Sequence, residues 1–275
     1  MRLWSTGINQ KKIFRETANS TGMYTTGPRT IAVASGKGGV GKTSLSVNLA
    51  ISLAKMGCRV TLFDADLGMA NVEVMLGLSP PYSLYDVLFG DKTLEEIVVR
   101  DPRGIKVISG GSGFLQMANL DQRRRRRLIS MFNQFSSQED FVLIDTGAGI
   151  SKNVLGFVAA AGEVIIVVTP EPTSLTDAYA LIKVLANFKV HSEVHIVINR
   201  VNSRREAIRT LDRLQVTAGR FLDIRINNLG WIPEDRLVCQ AIKSQEPFVF
   251  TSSNSLVSRS VAGIAKCLAG NAGPA

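Results

Sequence analysis

Between Thr30 and Gly270, short apolar runs alternate with longer stretches of helical period. Ile31-Ala32-Val33-Ala34 reads as a buried strand, Ser44 to Lys55 as a helix, and Arg59 to Phe63 as the next strand. Further strands are expected at Ile105–Ile108, Phe141–Ile144, Glu163–Val168, Val194–Ile198 and Ile224–Leu229. Helical periodicity lies between them, as at Leu128, Met131, Phe132 and Phe135. Strands that are apolar throughout and alternate with helices define an α/β fold, a mostly parallel β-sheet flanked by helices on both faces. There is no internal repeat, and the one low-complexity run is Arg123–Arg127.

The two ends differ from this pattern. Residues 1–29 are rich in Ser, Thr, Asn and Gly, close on the turn signal Gly27-Pro28, and read as a flexible tail. They hold five Lys or Arg and one acid, Glu16, a composition that suits a binding arm and also mimics an organellar transit peptide. Residues 30–270 form the expected domain and 271–275 a short C-terminal tail. Val257, Val261, Ile264 and Leu268 make one apolar stripe, read as a helix packed on the core. Only Asn271 to Ala275 follow Gly270, too few for a separate amphipathic membrane anchor.

Composition narrows the class. The 275 residues suit one sizeable α/β domain, and 45% hydrophobic with 20% charged residues is ordinary for a globular protein. No apolar run approaches the ~20 residues of a membrane span. Cys58, Cys239 and Cys267 are scattered and form no C-x-x-C pair, which argues against a zinc or iron–sulfur site and suits a reducing cytosol. The net charge of +9 favours anionic partners, whether nucleic acid, acidic lipid or acidic protein.

The chemistry concentrates where strands end. The strand Ile31–Ala34 runs into Ser-Gly-Lys-Gly-Gly-Val-Gly-Lys-Thr, residues 35–43, and then into a helix. Gly36, Gly41, Lys42 and Thr43 match G-x-x-x-x-G-K-[ST], so Gly36 to Ser44 is the expected nucleotide-binding stretch. Its glycines let backbone N–H groups turn inward around phosphate oxygens, and the helix N-terminus adds a favourable field. Lys42 is expected to reach the β- and γ-phosphates and Thr43 to ligate Mg²⁺. Two more strands end in carboxylates, at Asp64-Ala65-Asp66 and at Asp145-Thr146-Gly147-Ala148-Gly149. In a parallel sheet the strand C-termini share one edge, so both clusters should face the phosphate loop. Asp145 fits a carboxylate that holds the magnesium shell, and Asp64 supports either magnesium or the loop around it. No N-K-x-D motif selects guanine, which favours ATP.

The whole string Gly36-Lys37-Gly38-Gly39-Val40-Gly41-Lys42-Thr43 resembles the deviant Walker A loop of the MinD and ParA superfamily of P-loop ATPases. The resemblance implies that Lys37 crosses a dimer interface to the phosphates of the other subunit, and that Asp66 orients the attacking water. It also implies that Gly147-Ala148-Gly149 senses the γ-phosphate. Asn199-Arg200 and Gly230-Trp231-Ile232-Pro233-Glu234-Asp235, each read as following a strand, are similar to the family's adenine-binding segments. Asn199, Arg200, Pro233 and Glu234 are therefore the base-binding candidates, and an asparagine amide can both donate to and accept from the adenine edge.

Two longer strings, Asp64 to Leu78 and Pro170 to Lys183, are similar to the FlhG/FleN-type regulators of flagellum number and placement. This resemblance covers about residues 30–270. It implies an ATPase switch that dimerises face to face with ATP and acts on an SRP-type flagellar GTPase or a flagellar transcription regulator. Some members carry D-Q-A-x-x-L-R near the N-terminus to stimulate that GTPase. Residues 9–15 here read Asn9-Gln10-Lys11-Lys12-Ile13-Phe14-Arg15, where Gln10, Phe14 and Arg15 fit and Asn9 and Lys11 depart. The expected location is cytoplasmic, with weak peripheral contact at the inner face of the cell membrane as a further expectation. Two alternatives stay open. One is a partition-type ATPase that grips DNA through Arg123–Arg127 and through Arg200, Arg204, Arg205, Arg209 and Arg213. The other is a MinD-like division-site regulator.

Overall fold

The computed structural model describes residues 28–67, 71–111, 121, 123–124, 127–128 and 139–270. The candidate tail residues Gln10, Phe14 and Arg15, and the helical positions Met131, Phe132 and Phe135, lie outside them. In chain order the elements begin with β1 (Arg29–Ser35), α1 (Lys42–Lys55), β2 (Val60–Ala65), α2 (Val72–Leu76), α3 (Leu84–Phe89) and α4 (Leu94–Ile97). Next come β3 (Val99–Arg100), β4 (Lys106–Ile108), β5 (Phe141–Ala148), α5 (Lys152–Ala160), β6 (Glu163–Val168) and α6 (Pro172–Phe188). The chain continues through β7 (Glu193–Val201), α7 (Arg204–Phe221), β8 (Arg225–Pro233), α8 (Arg236–Ser244), α9 (Phe248–Thr251) and α10 (Leu256–Ala269).

The strands form one eight-stranded sheet in the order β3-β4-β2-β5-β1-β6-β7-β8. Every neighbouring pair is parallel except β3 with β4. The interior strands are buried on both faces, as their unbroken apolar runs require. Successive residues of β1 feed opposite cores. Ala32 and Ala34 join the side covered by α5, α6 and α7, whereas Ile31 and Val33 join the side covered by α1 and α10.

Local sequence explains where helices begin. Ser151, Ser203 and Ser255 each accept a hydrogen bond from the amide three residues on, and so cap α5, α7 and α10. Helix α1 begins differently. It starts at Gly41, has no side-chain cap and carries no acid in its first turn, which leaves its N-terminal amides available to a ligand.

Val257, Val261, Ile264 and Leu268 of α10 are at most 2% exposed and pack against α1 and β8. Burying four such side chains contributes roughly 6–12 kcal/mol, comparable to a whole domain's net stability of about 5–15 kcal/mol. The stripe is thus committed to the core in this structure, and α10 presents no second apolar face of that kind to a membrane. Among the described residues no helix is long and apolar enough to cross a membrane.

Two expectations need correction. Gly230 to Pro233 does not follow the last strand but belongs to it, because β8 runs on to Pro233. The glycine is absorbed by a bulge at Leu229, and the proline is tolerated because β8 is an edge strand and ends there. Asn199-Arg200 likewise lies within a strand rather than after it, because β7 runs on to Val201. The short antiparallel edge strand β3 has no counterpart among the expected strands.

Candidate functional site

The carboxyl ends of β1, β2, β5, β6 and β7 bring the candidate residues to one edge of the sheet. The strand register places Asp145 beside both Val33 and Asp64, so the phosphate loop and two carboxylate clusters are neighbours across three adjacent strands. After Ser35 the loop passes directly over α6. A Cβ on Gly36 would lie 2.2 Å from the Asp177 carbonyl, so a side chain cannot fit there. The loop enters α1 at Gly41, whose φ of +95° favours glycine.

Lys42 is 8% exposed, and its amine donates to Ser35 Oγ at 2.9 Å. No described carboxylate pairs with it directly. Burial holds its pKa below the ordinary lysine value, against the attraction of Asp145 and Asp66. A buried ammonium with a hydroxyl for company is costly unless an anion completes its surroundings. Together with the uncapped start of α1, this cradle fits the phosphates of a nucleotide.

Asp145 is fully buried. Thr43 Oγ1 donates to its Oδ2 at 2.7 Å and Ser46 Oγ to its Oδ1 at 2.8 Å. Burial pushes the Asp145 carboxyl above the usual range, and the two hydroxyls oppose that rise. A hydroxyl coupled to a carboxylate at a phosphate cradle suits a magnesium ion that keeps several waters and takes the rest of its shell from phosphate. Among the described residues no group of three or more His, Cys, Asp or Glu forms an all-protein cage. Ser46 was not anticipated, although it stands three residues after Thr43 on the same helical face.

Asp64 holds the loop that follows β2. Its Oδ1 accepts from the Asp66 amide at 3.0 Å, and its Oδ2 from the amides of Asn71 and Val72 at 2.8 and 3.1 Å. Burial, and then the charge of Asp145, push its carboxyl upward. Asp66 is half-buried, with its carboxyl raised by burial and drawn down by Lys42. Its Oδ2 accepts from the Asn71 amide group at 3.4 Å, and its Oδ1 lies against Gly147. Gly149 N donates to Ser35 O at 2.9 Å, which joins the Gly147-Ala148-Gly149 segment to the phosphate loop.

Lys37 contacts residues the sequence did not suggest. Its ammonium meets Glu171 Oε2 at 2.5 Å and Thr173 Oγ1 at 2.9 Å, both at the start of α6. Lys37 draws the Glu171 carboxyl below its usual range. With 36% of the Lys37 side chain exposed, this is a surface pair, and such pairs hold weakly. Glu171→Gln is therefore expected to free Lys37 and to tighten any ATP-dependent self-association by less than about fivefold, as read by sedimentation equilibrium.

The base-binding candidates cluster less tightly. Asn199 is buried at the end of β7 and turns toward the phosphate loop, donating to the Val40 carbonyl at 2.7 Å. Arg200 and Glu234 are exposed and Pro233 is half-buried, with the Glu234 amide donating to Val201 O at 3.0 Å. Elsewhere, Arg123, Arg124 and Arg127 are exposed, and Arg124 pairs with Asp121.

A glycine-rich loop between a parallel strand and an uncapped helix, with a buried lysine and a hydroxyl-bonded aspartate behind it, defines a P-loop nucleotide hydrolase. A family model for an AAA domain matches residues 28–198. The chain is 43% identical over 215 residues to the antiactivator FleN of Pseudomonas aeruginosa, covering 78% of this chain and 77% of that protein. It is 34% identical over 245 residues to the flagellum site-determining protein YlxH of Helicobacter pylori, covering 86% and 81%. Among solved structures, the cell division ATPase MinD of Pyrococcus furiosus superposes with a TM-score of 0.77 at 26% identity, covering 89% of this chain and 99% of that one. MinD of Pyrococcus horikoshii, solved with Mg-ADP, gives 0.74 at 28% identity, covering 88% and 96%. The chain belongs to the MinD/ParA family of P-loop ATPases and, within it, to the group of FleN and YlxH.

Proposed function

We propose that this ATPase is a dimerising switch that restrains flagellum number and placement through partner proteins. The observation that carries the reading is the state of Lys37. It stands at the rim of the phosphate loop, partly exposed and held by an exposed pair with Glu171 and a hydrogen bond to Thr173. Its partner Glu171 is itself exposed and can be satisfied by water, so the lysine can exchange that pair for the phosphates of a facing subunit. Lys42 and the α1 amides hold the β- and γ-phosphates, and Thr43 with Asp145 holds Mg²⁺, which supplies charge neutralisation on the phosphates. Asp66, between Lys42 and Gly147, orients the attacking water.

Asp66→Ala tests this assignment. The variant is expected to bind ATP, to lose hydrolysis and to accumulate as a dimer on size-exclusion chromatography with ATP. A variant that binds ATP yet elutes as a monomer removes Asp66 from the hydrolytic role.

The relatives named for flagellar antiactivation and site determination motivate the biological half of the reading. The partners we propose are an SRP-type flagellar GTPase, a flagellar transcription regulator, or both. For the GTPase, Gln10, Phe14 and Arg15 are the contacts. A peptide of residues 1–29 is expected to raise GTP hydrolysis by the cognate GTPase, and no stimulation at saturating peptide would show that Asn9 and Lys11 cost the chain this activity.

One feature favours a second reading as a partition-type ATPase. Arg205, Arg209, Arg213 and Arg220 are exposed on α7, opposite its buried stripe of Ala207, Leu211, Leu214 and Ala218. Salt-dependent binding to random duplex DNA only with ATP would favour that reading.

A further inference from the structure

The resemblance to known adenine-binding segments would make Asn199 a reader of the base. Its bonds within the protein also tie it to the phosphate loop, using one of its two amide hydrogens and one of its two Oδ1 lone pairs. The side-chain amide donates through Nδ2 to the Val40 carbonyl at 2.7 Å and accepts through Oδ1 from the Arg200 amide at 2.9 Å. These partners fix which way the amide points. A carbonyl can only accept and a backbone N–H can only donate, so a flipped amide would lose both bonds.

The surrounding backbone is bent to make this contact. Arg200 has φ +58°, uncommon for a residue other than glycine. The pairing of β7 with β8 shifts register between Ile198 and Val201, so the ladder is irregular where Asn199 turns. On the other side of the bond, Val40 is 2% exposed and Gly41 takes φ +95°. A Cβ on Gly41 would stand 2.4 Å from Asn199 Nδ2. The asparagine thus occupies the space that glycine leaves, at the residue before Lys42.

Building on the nucleotide reading above, we infer that Asn199 is a positioning residue for triphosphate binding. It clamps the end of β7 to the phosphate loop and sets the Val40–Gly41 turn from which Lys42 and the first amides of α1 project. Without the donor, the buried Val40 carbonyl is left unsatisfied and the turn is free to relax. Phosphate affinity then falls whatever base the nucleotide carries.

The test separates base reading from loop positioning on the full chain, by calorimetric titration with ATP, inosine triphosphate and inorganic tripolyphosphate. Asn199→Ala is expected to weaken all three by the same factor, about 5- to 150-fold. Asn199→Asp keeps the acceptor for the Arg200 amide, loses the donor to Val40 and adds a negative charge beside the loop, so it should weaken all three at least as much as Asn199→Ala. Hydrogen exchange supplies a local check, with faster exchange expected at residues 40–43 in both variants and unchanged exchange in β6. A loss confined to ATP, with tripolyphosphate affinity kept, would overturn the inference in favour of base reading. So would a switch of Asn199→Asp toward inosine triphosphate, whose N1–H suits a carboxylate. Unchanged affinities in both variants would overturn it outright. A wild-type chain that binds none of the three probes is a different result, which overturns the nucleotide reading and this inference with it.

Discussion

Lys42→Ala is expected to bind ATP about 150- to 5,000-fold more weakly than the wild type, because the phosphates would enter a buried cradle without its cation. Breaking a buried ionic contact by removing one partner costs roughly 3–5 kcal/mol, which converts to that range. The effect on the empty protein should have the opposite sign. Burial lowers the Lys42 pKa in the folded state, so the unfolded chain binds the proton more readily. Stability therefore rises with pH between the lowered folded value and the ordinary lysine value, and at neutral pH the charged amine is a net cost to folding. Without nucleotide, Lys42→Ala should melt no lower than wild type. With ATP, the wild type should shift upward and the variant should not. A variant that melts much lower without nucleotide, or that keeps the ATP shift, would show that Lys42 serves the fold rather than the phosphates.

Lys37→Ala is expected to leave the monomer's ATP affinity near normal while abolishing dimerisation and hydrolysis. Lys42 and the α1 amides act within one subunit, and Lys37 makes its described contacts with Glu171 and Thr173, outside the phosphate cradle. In a face-to-face dimer, losing the lysine would leave the partner's phosphate charge uncompensated in a site closed to water. Removing one partner of such a charge-assisted contact at an interface costs roughly 2–5 kcal/mol, or about 30- to several-thousand-fold in dimer affinity. The Glu171 pair offsets little of this, because it is exposed and leaves Lys37 free to exchange partners. Nucleotide titration on the monomer, paired with sedimentation in ATP, separates the two functions.

Much of the site was legible because its chemistry is local. The string from Gly36 to Thr43 stands between a strand signal and a helix signal and carries the glycine, lysine and threonine pattern of the phosphate loop on its own. One topological rule, that parallel strands end on a common edge, points Asp64, Asp66 and Asp145 toward it, and the register sets Asp64 and Asp145 side by side next to β1. Glu163–Val168 was delimited to the residue, since a fully buried strand has sharp hydrophobic boundaries.

Contacts between segments far apart in sequence were not legible. Lys37 meets Glu171 across 134 positions, and no spacing rule links them. The turn of Asn199 toward Val40 depends on a left-handed backbone at Arg200, which an arginine does not advertise. The sequence admits Asp64 to either magnesium or the loop, and the three backbone amides it accepts from, those of Asp66, Asn71 and Val72, are those of a loop organiser, which no spacing rule announces. At the sheet edge, Gly230 and Pro233 carry turn signals that a bulged terminal strand overrides. A two-residue strand such as β3 has no periodicity to read.

If ATP engages both its own subunit and Lys37 of a second one, it should control the assembly of this chain. Sedimentation equilibrium of the wild type and Lys37→Ala, each with ATP and with ADP in the presence of Mg²⁺, tests it most directly. The account predicts a dimer for the wild type with ATP and a monomer in the other three samples. A dimer for Lys37→Ala with ATP, or the same mass for the wild type with either nucleotide, would contradict it.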